Sequence, residues 1–441
     1  MGWPPKGAPV RREPEVRILI LNQCFYPDLA ATAQYAADFA EFLAGTGHEV
    51  TVLTSRNGYG DRRVRYPARQ LWQGVQILRL AAPEWGKSSA AARIATAAGF
   101  WIAAAKRLLK LGTFDLTISL TSPPLIGALA ALYKRMTGGR LVQWIMDLNP
   151  DEAIAAGWLD PQGCLAQILE RLLRFALAEA DAIIALDPAM RERILLRVDS
   201  PSNVHTIPLW ARQHILRAST SQREAFRTRH GFADRFVVMY AGNHSPCHPL
   251  KTLLEAARLL QYDSRLLFCF AGGGRSYASV REYCSTHGLA NVAFIPYQPT
   301  DQLGAMLSAA DLQVVVLGDR FQGIVHPSKT YNILAVGVPL LYIGPSGPYL
   351  DTFASDADTE RWLWHARHGE VQYLATLLHQ ARTSSFRGLP TQQAVADRFT
   401  PSKQLPRLAA AMDIPLAPTS LPEPANQELA TCLPCSAHSP A

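Results

Sequence analysis

FVVMYAGNHSPCHPLKTLLEAARLL, Phe236 to Leu260, reads as one strand, one turn and one helix. A run of β-branched and aromatic residues ends at Gly242, where the missing side chain lets the backbone turn and approach a neighbour closely. LKTLLEAARLL (250 to 260) then repeats its apolar residues at helical spacing. The same unit recurs downstream, with LLFCFAGGG (266 to 274), NVAFIPY (291 to 297), DLQVVVLG (311 to 318) and PLLYIG (339 to 344) as the strands. Upstream lie VRILILNQ (16 to 23), EVTVLT (49 to 54), VQILRL (75 to 80), LTISL (116 to 120), RLVQWIMD (140 to 147), AIIAL (182 to 186) and VHTIPLW (204 to 210). Nearly continuous apolar runs separated by helices are what parallel sheets covered on both faces require. A polar, Arg- and Ser-rich stretch over 211 to 235 divides the two sets. The expected fold class is α/β, two Rossmann-like doubly wound domains facing a central cleft, joined near residue 211. Open sheets of this kind bind ligands outside the carboxyl ends of their strands.

The 441 residues exceed what one hydrophobic core supports, and 48% hydrophobic content excludes disorder as the main state. No stretch reaches the ~18 apolar residues of a spanning helix. Residues 1 to 15 contain no apolar signal core and read as a disordered segment, so a cytoplasmic protein is expected. The Pro- and Ser-rich residues 414 to 441 read as a disordered tail. Seven Cys (24, 164, 247, 269, 284, 432, 435) are scattered in mostly apolar surroundings, which fits reduced core thiols. Cys432 and Cys435 form a CxxC without a second ligand pair, so no zinc site is read there. The surplus of +7 is diffuse. Phosphate-bearing ligands or an anionic membrane account for it as well as nucleic acid does, and no nucleic-acid partner is expected.

The most informative segment for chemistry is HPSKTYNILAVGVPLLYIG, His326 to Gly344. Ser328 reads as an N-cap after Pro327, Lys329 to Val336 as a short helix and Gly337 as its stop. Such a helix start offers free N–H groups and a partial positive charge, to which Lys329 adds a full one. It is a candidate diphosphate site, or a capped helix with a solvated Lys. Asn332 lies on the same helix face and is a candidate for a ribose or sugar hydroxyl. Gly242 and Asn243 make either an anion-holding turn or an ordinary one. Gly272, Gly273 and Gly274 either admit a nucleotide base or make a tight βα turn. In the first domain, Ala31 and Thr32 belong to a loop of small residues after the first strand, open to an anionic ligand or to close packing. Asp147 ends a candidate strand and faces the cleft or caps the next segment. Asp356-Ala357-Asp358 resembles a metal-binding DxD but falls in polar, helix-like SDADTERW rather than at a strand end. No GxSxG, HExxH or P-loop is present.

The YPD loop, GHEVTVLTS (47 to 55), TSPPLIG (121 to 127), IPLW (207 to 210), YAGN (240 to 243), FAGGG (270 to 274) and PSKTYNILAVGVP (327 to 339) together resemble family 4 glycosyltransferases of the two-Rossmann-domain (GT-B) type. The similarity runs from Val16 to Met412 and is greatest to the capsule, O-antigen and colanic acid branch. It implies retaining sugar transfer from a nucleotide sugar, UDP- or GDP-linked, to a glycan or polyprenyl-diphosphate-linked acceptor, without a cofactor or bound metal. It also implies that residues 390 to 412 cross back onto the first domain, giving an acceptor domain of 16 to 210 plus 390 to 412 and a donor domain of 211 to 385. Lys329, Asn332 and Asp147 are then the catalytic candidates. The donor would be held by Gly242, Asn243, Gly272, Gly273, Gly274, Ile295, Pro296, Pro327 and Ser328, with Ala31, Thr32 and Asp147 on the acceptor side.

Three departures stand out. The family's two Glu, separated by seven residues, are replaced by Ile324 and Asn332. Its Arg/Lys pair after the second domain's first strand gives way to the Asn243 to His248 loop, and the first loop's Gly-Gly is Ala30-Ala31. A nucleotide-sugar 2-epimerase of the same fold and a non-catalytic nucleotide-sugar-binding partner are the alternatives. Absent cleft carboxylates argue against the first and favour the second. Residues 88 to 111 combine Phe100, Trp101 and Leu108 with Arg93, Lys106, Arg107 and Lys110. They form either a packed helix or one lying on the inner face of an anionic membrane.

Overall fold

The computed structural model describes residues 16–59, 63–83, 85, 90–232, 234–354, 358–383 and 389–416. The expectations for 1–15, Ser88, Ser89, Asp356, Ala357 and 417–441, with Cys432 and Cys435, fall outside these.

The first lobe is built on β1 (Arg17–Leu21), β2 (Glu49–Ser55), β3 (Arg69–Trp72), β4 (Val75–Leu80), β5 (Leu116–Ser119), β6 (Arg140–Trp144), β7 (Ala182–Ala185) and β8 (Val204–Thr206). Their order is β3-β4-β2-β1-β5-β6-β7-β8, parallel except for β3 on β4. β1, β5 and β7 are buried along almost their whole length, as double-sided cover demands. The antiparallel edge strand β3 was not among the expected strands: RQLW is short, polar and half exposed, so its apolar signal is weak. The second lobe carries β9 (Phe236–Asn243), β10 (Leu266–Gly273), β11 (Val292–Ile295), β12 (Leu312–Val316), β13 (Leu340–Ile343) and β14 (Leu363–Ala366) in the order β11-β10-β9-β12-β13-β14, all parallel. This is a two-lobed, doubly wound α/β protein, as expected.

Two strand ends differ from expectation. RLVQWIMD leaves the sheet after Trp144, and VHTIPLW after Thr206. Both tails are recruited by the seam between the lobes. Asp147 forms an antiparallel bridge with Val325, and Leu148 donates its N–H to the Ile324 carbonyl at 2.9 Å. Ile324, at the place of the family's first Glu, is buried in a core that both lobes share. Trp210 packs on Tyr35 and Trp144, and its indole donates to Asp38 at 3.0 Å. Beyond it, Ala211 N–H reaches the Phe399 carbonyl (2.9 Å) and Arg212 N–H the Asn332 side-chain oxygen (3.0 Å).

In the first lobe the helices used below are α1 (Ala31–Gly45), α2 (Ala90–Leu108), α3 (Ile126–Thr137), α4 (Asp151–Ala155), α5 (Cys164–Ala178) and α6 (Pro188–Leu195). The closing helices Pro390–Arg398 and Pro401–Ala411 bury Val395, Leu405, Leu408 and Met412 in the shared core. Arg140 donates to the Asp413 carbonyl and His48 meets the Pro415 carbonyl, so residues 413–415 are fastened to the first lobe. Ile414 is buried as well, so residues 414–416 belong to the folded body rather than to a tail. Cys24, Cys247, Cys269 and Cys284 are buried free thiols, whereas Cys164 is exposed at the start of α5. α2 buries Phe100 and Leu108, so these are core residues and not a lipid-facing pair; Ile94 and Ile102 are the large apolar side chains it exposes, and Leu109 is exposed just past its end.

Candidate functional site

The cleft floor lies where β9 and β10 end. Gly242 and Gly272 face each other across the sheet with φ of 134° and 111°, and a Cβ on Gly272 would stand 2.3 Å from the Gly242 carbonyl oxygen. Only glycine lets the two backbones approach so closely. Gly274 is equally constrained, since a Cβ there would stand 2.2 Å from the Asn243 side-chain oxygen. The three glycines thus make the tight turn. Over them lies the Tyr297 ring, whose hydroxyl donates to the Gly273 carbonyl at 3.1 Å and which is 59% exposed. Ile295 is buried beneath, and Pro296 is exposed beside it.

Lys329 opens the helix Lys329–Val336, with Gly337 in the left-handed conformation as its stop. Its ammonium turns inward. Nζ sits 3.8 Å from the centroid of the Tyr240 ring, and the space that a Cβ on Gly242 would occupy lies 3.1 Å away. It is buried and has no hydrogen-bond partner, and burial lowers its pKa to about 7. Tyr240 offers a π face, worth about 0.5–2 kcal/mol to a cation, well short of replacing water's hydrogen bonds. His244 donates from Nδ1 to the Gly242 and Gly273 carbonyls (3.1 and 3.3 Å), while its Nε2 is buried without a hydrogen-bond partner. His248 bonds the Val316 carbonyl at 2.7 Å; burial, then the Lys329 charge, lowers its pKa to about 3. Two buried nitrogens without partners therefore stand at one end of a parallel sheet.

Ser328 stands at the cap position but its side chain caps nothing; it lies beside the Tyr35 hydroxyl of the other lobe, which donates to the Trp210 carbonyl at 3.1 Å. Pro327 is buried, its carbonyl accepting from Tyr349 at 3.2 Å. Asn332 faces the linker, its oxygen taken by Arg212 N–H, and only its amide nitrogen is left for a ligand. Ala31 and Thr32 form the first turn of α1, whose cap residue Ala30 makes no side-chain bond.

On the opposite wall, Asp147 and Glu152 come together, five residues apart in DLNPDE. Burial, and then the Glu152 charge, raises the Asp147 carboxyl well above the usual range, and burial raises Glu152 too. Glu152 accepts from the Asn149 amide at 3.1 Å, whereas no hydrogen bond is made to the Asp147 carboxylate among the described residues. Both act on Cys247 of the second lobe and on Tyr59, so the pair faces the cleft rather than the surface. Glu152, His244, His248 and Tyr297 were not singled out in the sequence. Glu152 had the signal of a second acid one short turn past Asp147, and the two His stand four apart in NHSPCH. Tyr297 had none. Among the described residues no group of three or more His, Cys, Asp or Glu is placed to hold a metal.

Comparison with known proteins assigns both lobes. The family profile "Glycosyl transferase 4-like domain" matches residues 31–210, and "Glycosyl transferases group 1" matches residues 222–366. The putative colanic acid biosynthesis glycosyl transferase WcaI of Escherichia coli K12 is 27% identical over 347 residues, 73% of this chain and 82% of that one. Among solved structures, sucrose-phosphate synthase of Thermosynechococcus elongatus superposes with a TM-score of 0.70 at 16% identity, covering 90% of this chain and 98% of the other. Anabaena HepE in complex with UDP-glucose gives 0.68 at 15%, covering 90% and 99%. With the two halves matched in order and the lobes folded as in those enzymes, the chain belongs to the family 4 glycosyltransferases of GT-B architecture.

Proposed function

We propose that this protein transfers a sugar from a UDP- or GDP-linked donor to a glycan or a polyprenyl-diphosphate-linked acceptor, with retained anomeric configuration, in cell-surface polysaccharide synthesis. The observation that carries the reading is the Lys329 ammonium, buried without a partner at the carboxyl ends of β9 and β12. A diphosphate is the ligand whose charge and acceptor oxygens supply what it lacks. HepE binds UDP-glucose, and WcaI belongs to colanic acid biosynthesis; a nucleotide sugar and a surface glycan are taken over here on that likeness.

As the anomeric bond to the diphosphate breaks, negative charge grows on the departing oxygen. Lys329, the Ser328 and Lys329 amides and the Asn243 turn stabilise it, typically by several kcal/mol for such preorganised donors. The acceptor hydroxyl bonds to the anomeric carbon on the face the diphosphate leaves, and its proton passes to the departing phosphate oxygen. Asp147 and Glu152 orient that hydroxyl. The Asn332 amide nitrogen serves the ribose or sugar. The Tyr297 ring, with the backbone of Ile295, Pro296 and Gly272 to Gly274, receives the base, and the Ala31-Thr32 turn meets the acceptor. The charge-neutralising role falls to Lys329 rather than to a metal.

Incubation with labelled UDP- and GDP-sugars and a polyprenyl-diphosphate or glycan acceptor is expected to yield a glycosylated product with the donor's anomeric configuration. Inverted product removes the retaining mechanism. A C2-epimer formed without acceptor favours the epimerase, which the Asp147–Glu152 pair restores as a chemical option. No conversion with any donor leaves inert binding.

We infer that the protein works at the cytoplasmic face of an anionic membrane. No helix among the described residues is long and apolar enough to cross one. α2 and α3 pack together, and α2 exposes Ile94 and Ile102 beside Lys106, with Leu109 and Lys110 in the turn just past its end, while α3 exposes Leu132 and Met136. Sedimentation with anionic liposomes is expected to carry the protein down, and Ile102→Glu with Leu109→Glu to release most of it, since each reversal removes about 2 kcal/mol or more of apolar insertion. Equal recovery of the wild type in the supernatant with and without anionic lipid removes the membrane reading.

A further inference from the structure

Two arginines from opposite lobes meet on one ring at the mouth of the cleft. Arg93 of α2 lies over Trp158 with its Cζ 4.7 Å from the ring centroid, and Arg275, in the turn after Gly274, lies over the same indole at 5.5 Å. Neither guanidinium makes a hydrogen bond or ion pair to the protein among the described residues, and Trp158 is 42% exposed. Other arginines near acids are paired instead, Arg197 with Asp151 and Glu170, Arg223 and Arg227 with Asp311. Gathering two cations on one indole without a carboxylate costs repulsion that stacking, about 0.5–1 kcal/mol per exposed contact, offsets only in part.

The position ties this pair to the reaction. Ser276 N–H bonds the His244 carbonyl at 2.9 Å, so Arg275 stands on the turn beside the donor loop. The Trp158 backbone N–H bonds the Ala153 carbonyl at 2.9 Å, so Trp158 is tied directly to the short helix that carries Glu152. The two forks thus rim the stretch of cleft between His244 and the acceptor-side carboxylates. A donor diphosphate already has Lys329 and the amides around it.

We propose that Arg93 and Arg275, with Trp158 as their platform, bind an anionic group of the acceptor, either the diphosphate of a lipid carrier or the carboxylate of an acidic glycan. This rests on the transfer reading and supplies its acceptor class. A guanidinium fork matches both groups through two parallel N–H bonds, which a lysine does not. Because one arginine belongs to each lobe, the site is whole only when the lobes are together, so an acceptor held there also holds the cleft shut.

The test uses the full chain saturated with UDP or GDP, titrated calorimetrically with farnesyl diphosphate and, separately, with a glucuronic acid oligosaccharide. One of the two is expected to bind, and the Arg93→Ala, Arg275→Ala double variant to bind it about tenfold more weakly or worse, with nucleotide affinity within about twofold of wild type. The Arg93→Lys, Arg275→Lys variant is expected to recover only part of the loss. The anion that binds names the acceptor class. If neither binds the loaded chain, if the alanine variant binds as well as wild type, or if nucleotide affinity falls in step, the proposal is wrong. Should no nucleotide bind, the same titrations on the unloaded chain separate the ideas: arginine-dependent anion binding there keeps this site while the transfer reading falls.

Discussion

Lys329→Met is expected to have two opposite effects: turnover and nucleoside-diphosphate affinity fall by about a hundredfold or more, and the melting temperature rises. The first follows from removing the charge aimed at the leaving oxygen. The second follows from the same burial. The ammonium's pKa drops from 10.5 to about 7 on folding, so between those values folding releases a proton. A base whose pKa is lowered in the folded state destabilises it increasingly as pH falls through that window, with the full cost present below about 7. Methionine of similar length fills the space without the charge and recovers on the order of 1–3 kcal/mol at neutral pH. Calorimetric melting at pH 7 and pH 10 checks the sign: the gain shrinks toward pH 10. A variant with unchanged melting and near-normal turnover takes Lys329 out of both roles.

Asp187→Ala is expected to cost about 2–5 kcal/mol of stability, from a lost helix cap and a buried carboxylate hydrogen bond whose partner is left unpaired. Asp187 caps α6 through Met190 N–H at 2.8 Å and meets His326 Nδ1 at 2.7 Å, while His326 Nε2 meets the Tyr331 hydroxyl at 2.8 Å. This buried chain crosses the seam and ends on the helix that begins with Lys329. Burial pushes the Asp187 carboxyl up, but the His326 hydrogen bond and charge, with the Met190 and Ala189 amides, outweigh it and hold the carboxyl below its ordinary value of 3.8. A carboxylate lowered in the folded state contributes stability above its unfolded pKa, and that stability is lost as pH falls through the folded one. Denaturant melts at pH 7 and pH 3 are therefore expected to differ less for Asp187→Ala than for wild type. Asp187→Asn, which keeps the cap acceptor, is expected to lose less at pH 7; equal melts for all three proteins contradict the assignment.

The fold was legible because nearly every central strand is buried on both faces and so reads as an unbroken apolar run. β3 was not, since an edge strand of RQLW shows no such run. β14 was missed as well; LWHA is half-buried and follows the polar TER turn. The tails of β6 and β8 read as strand because the seam that takes them is as apolar as the sheet, and periodicity does not tell one core from another. At the site, Lys329 and its helix were legible from Pro327, Ser328 and Gly337 spacing. The capping role of Ser328 was not observed; its hydroxyl lies beside Tyr35 of the other lobe. Asn332 shares the face expected of it, yet its oxygen holds the linker. Ile324 shows what replaced the family's first Glu, an apolar side chain buried in the joined core. Arg93, Trp158 and Arg275 are 65 and 117 residues apart along the chain; nothing local in the sequence announces that they meet.

The most direct test of the account is titration of UDP and GDP into the full chain between pH 6.5 and 9, repeated in buffers of different ionisation enthalpy. A diphosphate seated on Lys329 raises that group's pKa again, so binding above about pH 7 is predicted to take up close to one proton and to weaken as pH rises toward 9, and both signatures are predicted to vanish in Lys329→Met. Nucleotide binding without proton uptake and with full strength at pH 9, or of equal strength in the methionine variant, contradicts it.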